Sequence, residues 1–201
     1  MKIDAAALSP DAAYQWQAAA IVPRPIAWTL TLNEDGSTNL APFSFFTGAC
    51  ADPPMCIICV SRNRAGQKKD TWRNIERTGE YVVHAVPERL AAAMNLTSQA
   101  VPYGTDELAL AGLTPVASDR IAPPRVAEAP IAMECRLHRI VEVGEAGTAV
   151  ILGEILLWHV DDAILDASGG RVDFTRLDAI GRLSGALYAR TRDQLVLPRP
   201  K

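Results

Sequence analysis

From Ile26 onward, apolar and polar positions along the chain fall into short runs with a period near two. Ile26 to Leu32 and Ser37 to Phe43 flank Asn33-Glu34-Asp35-Gly36, whose Asp-Gly supplies turn chemistry, so the pair predicts a hairpin. Met55 to Val60, Tyr81 to Val86, Ile131 to Val143 and Ala149 to Val160 are rich in β-branched or large apolar residues and are bounded by Gly and Pro, which predicts four further strands. Helical spacing appears in three places. Ser9-Pro10-Asp11 opens a short helix through Ala20, Asp70 to Thr78 is ended by Gly79, and Pro87 to about Ser98 repeats Leu90, Ala93, Met94 and Thr97.

Strands joined by hairpins and short helices, without a regular βαβ alternation, predict a mainly β protein whose antiparallel sheet closes on itself as a small barrel. Val101 to Ala129 holds four prolines and two glycines with little periodicity, and is read as an excursion packed on the barrel or on a partner. A length of 201 residues suits one domain, 1–201, which buries roughly 70% of its unfolded surface and needs no disulfide or metal to hold a core.

Composition narrows the function classes. A net charge of −3 offers no general field for nucleic acid, so any anion site must be local. Four cysteines in apolar surroundings, with no export signal at Met1 to Ala20, fit reduced thiols in a cytoplasmic protein. The longest apolar runs are broken, as by Gly153-Glu154, and fall short of the ~20 residues of a membrane helix.

One segment departs from the acidic average. Ser61 to Arg77 carries six of the twenty basic residues and two acids, +4 against −7 for the rest of the chain. It runs from an apolar strand into a helix whose first N–H groups, near Asp70 and Thr71, carry partial positive charge. With Arg62 as a bidentate ligand, Lys68 and Lys69 as point charges and Thr71 as a hydroxyl donor, this turn is a candidate phosphate seat; the other reading is a solvated loop before a charged helix. Val22-Pro23-Arg24-Pro25-Ile26-Ala27-Trp28 and Leu40-Ala41-Pro42-Phe43-Ser44-Phe45-Phe46 mix bulky side chains with rim groups, as a pocket for a flat heterocycle requires, although the same residues also read as core.

Cys56 and Cys59 form a C-x-x-C inside a strand, where positions three apart face opposite sides, so neither a redox pair nor a metal site is expected. His84, His138 and His159 each stand alone in a strand; His159 is the candidate neighbour of a nicotinamide. There is no Gly-x-Gly-x-x-Gly, so a nicotinamide donor would have to dock transiently.

The order VPRPIAW, hairpin, NLAPFSFF, DPP before an apolar strand, and KKDTWRNIERTGEYVV resembles the flavin reductase-like family, which includes flavoredoxin-type flavoproteins. The similarity continues through Ile131-Ala132-Met133-Glu134-Cys135, Gly153-Glu154-Ile155 and Arg182 to Tyr188, with Ser184 where the family more often has glycine. The resemblance implies an FMN-binding split β-barrel, Greek-key-like and antiparallel, working as a homodimer with noncovalent FMN near the subunit interface. It places Pro25, Ile26, Ala27 and Trp28 along the isoalloxazine. Asn39, Ser44, Phe45 and Phe46 would meet the ring or ribityl chain, Arg62, Lys68, Asp70 and Thr71 the phosphate, and Arg182 and Tyr188 would close the site.

The activity so implied is NAD(P)H:flavin reduction, with NADH or NADPH as donor and a partner monooxygenase or other electron acceptor. Because the flavin itself receives the electrons, no catalytic side chain is expected. Two alternatives stand beside it: an electron-transfer flavoprotein that holds FMN tightly and takes electrons from a protein, and a split-barrel binding module without flavin.

Overall fold

In the computed structural model, which describes residues 1–200, the predicted hairpin forms from β1 (Ala27–Leu32) and β2 (Thr38–Phe43), with Ala27 opposite Phe43 and Leu32 opposite Thr38. Gly36, at φ +85°, takes the left-handed position of its turn, and its N–H donates to the Asn33 carbonyl. The chain continues through β3 (Phe46–Ala51), β4 (Pro54–Ser61) and β5 (Glu80–His84), then β6 (Pro115–Val116) and β7 (Arg125–Val126) in the excursion. The long hairpin β8 (Ile131–Val143) and β9 (Thr148–Val160) follows, then β10 (Ile180–Arg182) and β11 (Tyr188–Arg190). The helices are α1 (Pro10–Ala20), α2 (Asp70–Thr78), α3 (Ala91–Leu96), α4 (Glu107–Leu110) and α5 (Phe174–Leu177). Of the seven strands of the main sheet, β3 is the one that the pattern of hydrophobic positions did not separate, because its residues are mostly exposed and small.

Seven strands form one antiparallel sheet in the order β2-β1-β5-β8-β9-β4-β3. Laid flat, six strand spacings would hold β2 and β3 about 29 Å apart. Only Ser44 and Phe45 join them, a span of at most about 11 Å. The sheet must therefore curl until its two edges meet, which makes it a barrel.

Curling gives β1 two covered faces. Ala27 joins an interior cluster with Cys56, Ile58, Tyr81, Val83 and Ile151, into which α2 inserts Trp72 and Ile75. Trp28 and Leu30 point outward into a second cluster, where Met94, Leu108, Ile121 and Val126 of the following helices and the excursion cover the sheet. The predicted excursion thus supplies part of the cover over the outer face of β1, through Leu108, Ile121 and Val126.

Polar groups tie the excursion down. Burial pushes the His84 imidazole down to about 4, so the ring is neutral: Nδ1–H donates to the Trp28 carbonyl at 2.9 Å and Nε2 accepts from the Val126 N–H at 3.0 Å. Glu134, fully buried beside a bulge between β8 and β9, accepts from the N–H groups of Asp119 and Arg120 at 2.8 and 2.7 Å and contacts His159 at 2.5 Å. On the edge strand β2, Glu107 accepts from the Leu40 N–H at 2.7 Å, so α4 caps an otherwise open donor. Burial raises the Glu107 carboxyl to about 7, against the Leu40 hydrogen bond and with help from the charges of Asp70 and Asp106.

Two predictions follow from this packing. A Cβ on Gly153 would lie 1.8 Å from the Tyr81 hydroxyl and 2.7 Å from its ring carbon, inside the barrel. Gly153→Ala is expected to cost about 3 kcal/mol in urea unfolding, with partial recovery in the Tyr81→Phe background, since the Tyr81 hydroxyl has no hydrogen-bond partner to lose; a loss below about 0.5 kcal/mol would contradict the packing described.

Glu107 and His84 load the pH profile in opposite directions. Between pH 4.5 and about 7 the folded chain holds a proton on Glu107 that the unfolded chain has released, so stability falls as pH rises. Between about 4 and 6.5 His84 is neutral folded and charged unfolded, so stability rises with pH. Glu107→Gln should remove the first slope and expose the second, a rise of up to about 1.4 kcal/mol per pH unit in chemical denaturation between pH 4.5 and 6.5; superimposable profiles for the two proteins would refute the assignment.

Candidate functional site

The edge strand β2, the N-terminus of α2 and the stretch Thr97–Tyr103 enclose a cavity of about 440 Å³. The size is in the range of cofactor pockets. Its floor is a hydrogen-bonded ladder. The Asn39 amide donates to Thr31 and Thr71 at 3.0 and 2.9 Å, and the Asn74 amide donates to Thr31 and Asn33 at 3.0 and 2.8 Å. All five are buried, so the Thr71 hydroxyl is fixed at the cavity wall with its oxygen already accepting from Asn39. Its own proton is left to donate.

Helix α2 begins at this wall without a side-chain cap. Lys69 occupies the cap position and makes no capping bond, which leaves the first N–H groups of a nine-residue helix to the cavity. Lys69 lies 5.9 Å from the Phe43 ring centre, and among the described residues it has no carboxylate within 4.0 Å. Desolvation between the walls lowers its pKa. Arg73 spans to Asp70 at 3.6 Å and stacks 4.7 Å from the Tyr103 ring centre. Asp70 is raised by burial, against the pull of Arg73.

Pro42 and Ser98 also line a second, smaller pocket of about 180 Å³, so the two form one groove along β2. The smaller pocket is walled by Tyr14 of α1, Ile26, Ser44, Met94, Asn95, Arg182 and Tyr188, with no acid among them. Arg182 lies 4.5 Å from the Tyr188 ring centre, and its segment is hydrogen-bonded to Arg24 through the backbone in both directions at 3.0 and 2.8 Å.

Of the residues singled out from sequence, Asn39, Lys69, Asp70 and Thr71 line the larger pocket, and Ile26, Ser44, Arg182 and Tyr188 the smaller. The others stand elsewhere. Ala27 faces the barrel interior, Trp28 is fully buried on the outer face and donates to the Thr97 hydroxyl at 2.9 Å beneath the groove, and Pro25 is exposed before β1. Phe45 packs 6.0 Å from Tyr14, and Phe46 rests against the interior cluster.

Arg62 and Lys68 are turned to the far side of α2. Arg62 pairs with Glu142 at 2.6 Å and Lys68 with Glu76 at 2.7 Å, both over the Trp72 ring. Lys69 and Arg73 face the cavity in their place. Lys69, already a candidate point charge in the basic segment, is joined by Arg73 four positions on, and that pairing at the cavity wall is readable only once the helix phase is known. Thr97 to Tyr103 and Glu107 carried no local chemical signature.

Cys56 is buried in the barrel and Cys59 lies on the other face of β4, and all four thiols are free. Asp119, Glu134 and His159 bring ligand atoms within 4.8 Å of one another. The 2.5 Å contact of His159 with Glu134 is a hydrogen bond, shorter than the spacing of two ligands on one ion, and two backbone N–H groups already use the carboxylate. None of these groups lines the groove. No helix is long and apolar enough to cross a membrane among the described residues.

The donor set in the groove fits a phosphate-bearing flavin, and comparison with known proteins leads to the same class. Residues 19–183 match the flavin reductase like domain. Among solved structures, nitrilotriacetate monooxygenase component B from Bacillus cereus is 35% identical, with 98% of each chain covered and a TM-score of 0.93. The 2-nitrobenzoate 2-nitroreductase of Pseudomonas fluorescens is 32% identical over 100% of this chain and 96% of that one, with a TM-score of 0.90. A protein of Shewanella frigidimarina with a split barrel domain, 22% identical with both chains fully covered, superposes with a TM-score of 0.84 and supports the barrel architecture derived above. The chain belongs to the flavin reductase-like family and is a split-barrel flavoprotein oxidoreductase by class.

Proposed function

We propose that this chain binds FMN noncovalently in the groove along β2 and acts as an NAD(P)H:flavin oxidoreductase, with NADH or NADPH as the donor. The observation that carries the reading is the phosphate seat: an uncapped α2 N-terminus, a Thr71 hydroxyl free to donate, and Lys69 with no acid partner. One such seat supports a mononucleotide over a dinucleotide flavin. When bound, the flavin supplies the redox chemistry, taking two electrons and a proton from the nicotinamide. The chain holds and orients it. Lys69, Arg73 and the helix terminus neutralise the phosphate, Thr71 and Asn39 fix its approach, and Pro42, Phe43 and Tyr103 keep water from the walls.

The absence of a dinucleotide fingerprint supports a donor that docks over an open part of the groove and leaves. The name of the 35% identical neighbour, a monooxygenase component, supports a partner monooxygenase as recipient of the reduced flavin. The nitroreductase neighbour favours a second reading, in which an organic acceptor is reduced in place. Exposed Trp16, Ile21, Val22 and Leu187, in the segments that also carry Tyr14 and Tyr188, support a homodimer that covers them. The whole chain is read as one cytoplasmic domain.

Three measurements test the proposal. Freshly purified protein, or protein titrated with FMN, should show an oxidised-flavin spectrum and oxidise NADH or NADPH, faster with free FMN in the reductase reading and only with a nitroaromatic in the second; no flavin binding and no nicotinamide oxidation would end both. Lys69→Met should weaken FMN about tenfold while leaving riboflavin, which has no phosphate, unchanged. Arg62→Met should leave both affinities unchanged, because Arg62 is committed to Glu142 on the other side of α2; an effect of Arg62 equal to that of Lys69 would move the phosphate off the proposed seat.

A further inference from the structure

Arg24 is 4% exposed, and among the described residues no carboxylate lies within 4.0 Å of its guanidinium. A buried cation without a counter-ion carries a desolvation cost that hydrogen bonds offset only in part. Its partners are all neutral: the carbonyls of Ala18, Ile21 (2.8 Å) and Leu183 (2.7 Å), and the Ser44 hydroxyl, which accepts from Nε at 3.2 Å. These contacts orient the charge without cancelling it. Ser44 lines the smaller pocket, and its own O–H has no acceptor among the described residues. Since its oxygen takes the Arg24 proton, the hydroxyl hydrogen remains to be donated to whatever occupies the pocket. The pocket wall contains a second arginine, Arg182, and no acid.

We propose that Arg24 is a positioning residue that acts through Ser44, presenting a polarised hydroxyl backed by a fixed positive charge to the negatively charged, reduced form of the bound flavin. The inference rests on the flavin reading above. Two electrons and one proton, delivered together as hydride by the nicotinamide or as electrons from dithionite with a proton from water, convert the neutral oxidised ring to a monoanion, so a charge-assisted donor at its rim favours the product over the reactant. Arg24 also ties the end of α1, the β2–β3 connection and the Leu183 segment together. A purely mechanical role would affect both redox forms alike.

The test is the reduction potential of FMN on the intact protein, measured against a reference dye with dithionite, together with the affinity for oxidised FMN. Ser44→Ala leaves the carbonyl bonds of Arg24 in place. It should weaken reduced FMN about tenfold more than oxidised FMN, which moves the two-electron midpoint about 30 mV lower. Arg24→Lys should stay near the wild-type potential, Arg24→Gln should shift it as Ser44→Ala does, and the Arg24→Gln shift should largely vanish when Ser44 is already Ala. Should Arg24→Gln fail to fold, Ser44→Ala and Arg24→Lys decide the matter. An unchanged potential in Ser44→Ala, or equal weakening of both redox forms, overturns the inference while leaving flavin binding intact; wild-type protein that binds neither FMN nor FAD overturns the function itself and this inference with it.

Discussion

The structure hangs on a two-residue connection. Ser44 and Phe45 must bridge strands that would stand at opposite edges of a flat seven-stranded sheet, and the barrel, the groove and the placement of Ser44 follow from that closure. Closure brings β2 and β3 together beside α1. Ser44 sits at the seam, in the connection between the two edge strands, where its side chain meets Arg24 on one side and the smaller pocket on the other. The same closure encloses an interior that α2 fills with Trp72 and Ile75, and this fixes the helix with its N-terminus at the groove.

Charge is sorted around that helix. The chain is acidic overall, yet the groove collects Lys69, Arg73 and Arg182, with Arg24 behind it. Two other basic residues of the same segment are neutralised: Arg62 by Glu142 and Lys68 by Glu76. Exposed pairs of this kind add little stability, around 0–1 kcal/mol. Their effect is to leave the local positive field on one side of α2, where the helix dipole adds to it. Two lysines adjacent in sequence thereby acquire different roles.

Much of the fold was legible because its strands have one polar and one apolar face, or end at Gly and Pro. Asp70–Thr78 and the Asn33–Gly36 turn were set by local chemistry and stand where the pattern puts them. Strand β3 was not legible, since Thr47 to Ala51 are small and exposed and its existence depends on pairing with β4. The excursion hid its purpose for a related reason: Leu108, Ile121 and Val126 are scattered in sequence, and only the outer face of β1, β5 and β8 makes them one cluster. For the site, residue type was readable and direction was not. Trp28 and Ser44 lie in equally aromatic, proline-flanked segments, yet strand alternation sends Trp28 under the groove while the sheet's closure sends Ser44 into it. Resemblance to a family supplied the ligand class; helix phase and barrel closure decide which side chains face it.

The excursion joins folding to the groove. It caps the edge of β2 through Glu107 and covers the outer face of β1, while Tyr103 and Glu107 close the larger pocket from the side opposite α2. A ligand held between these walls adds contacts that exist only when the excursion is docked, so binding energy and the docking energy of 101–129 draw on the same interface. Glu107 makes that link chemical. Its proton is retained because burial, Asp70 and Asp106 oppose ionisation, and an anionic ligand near Asp70 acts in the same direction. An anion held in the groove as proposed above would therefore favour the protonated form of Glu107, the residue that also protects the sheet edge.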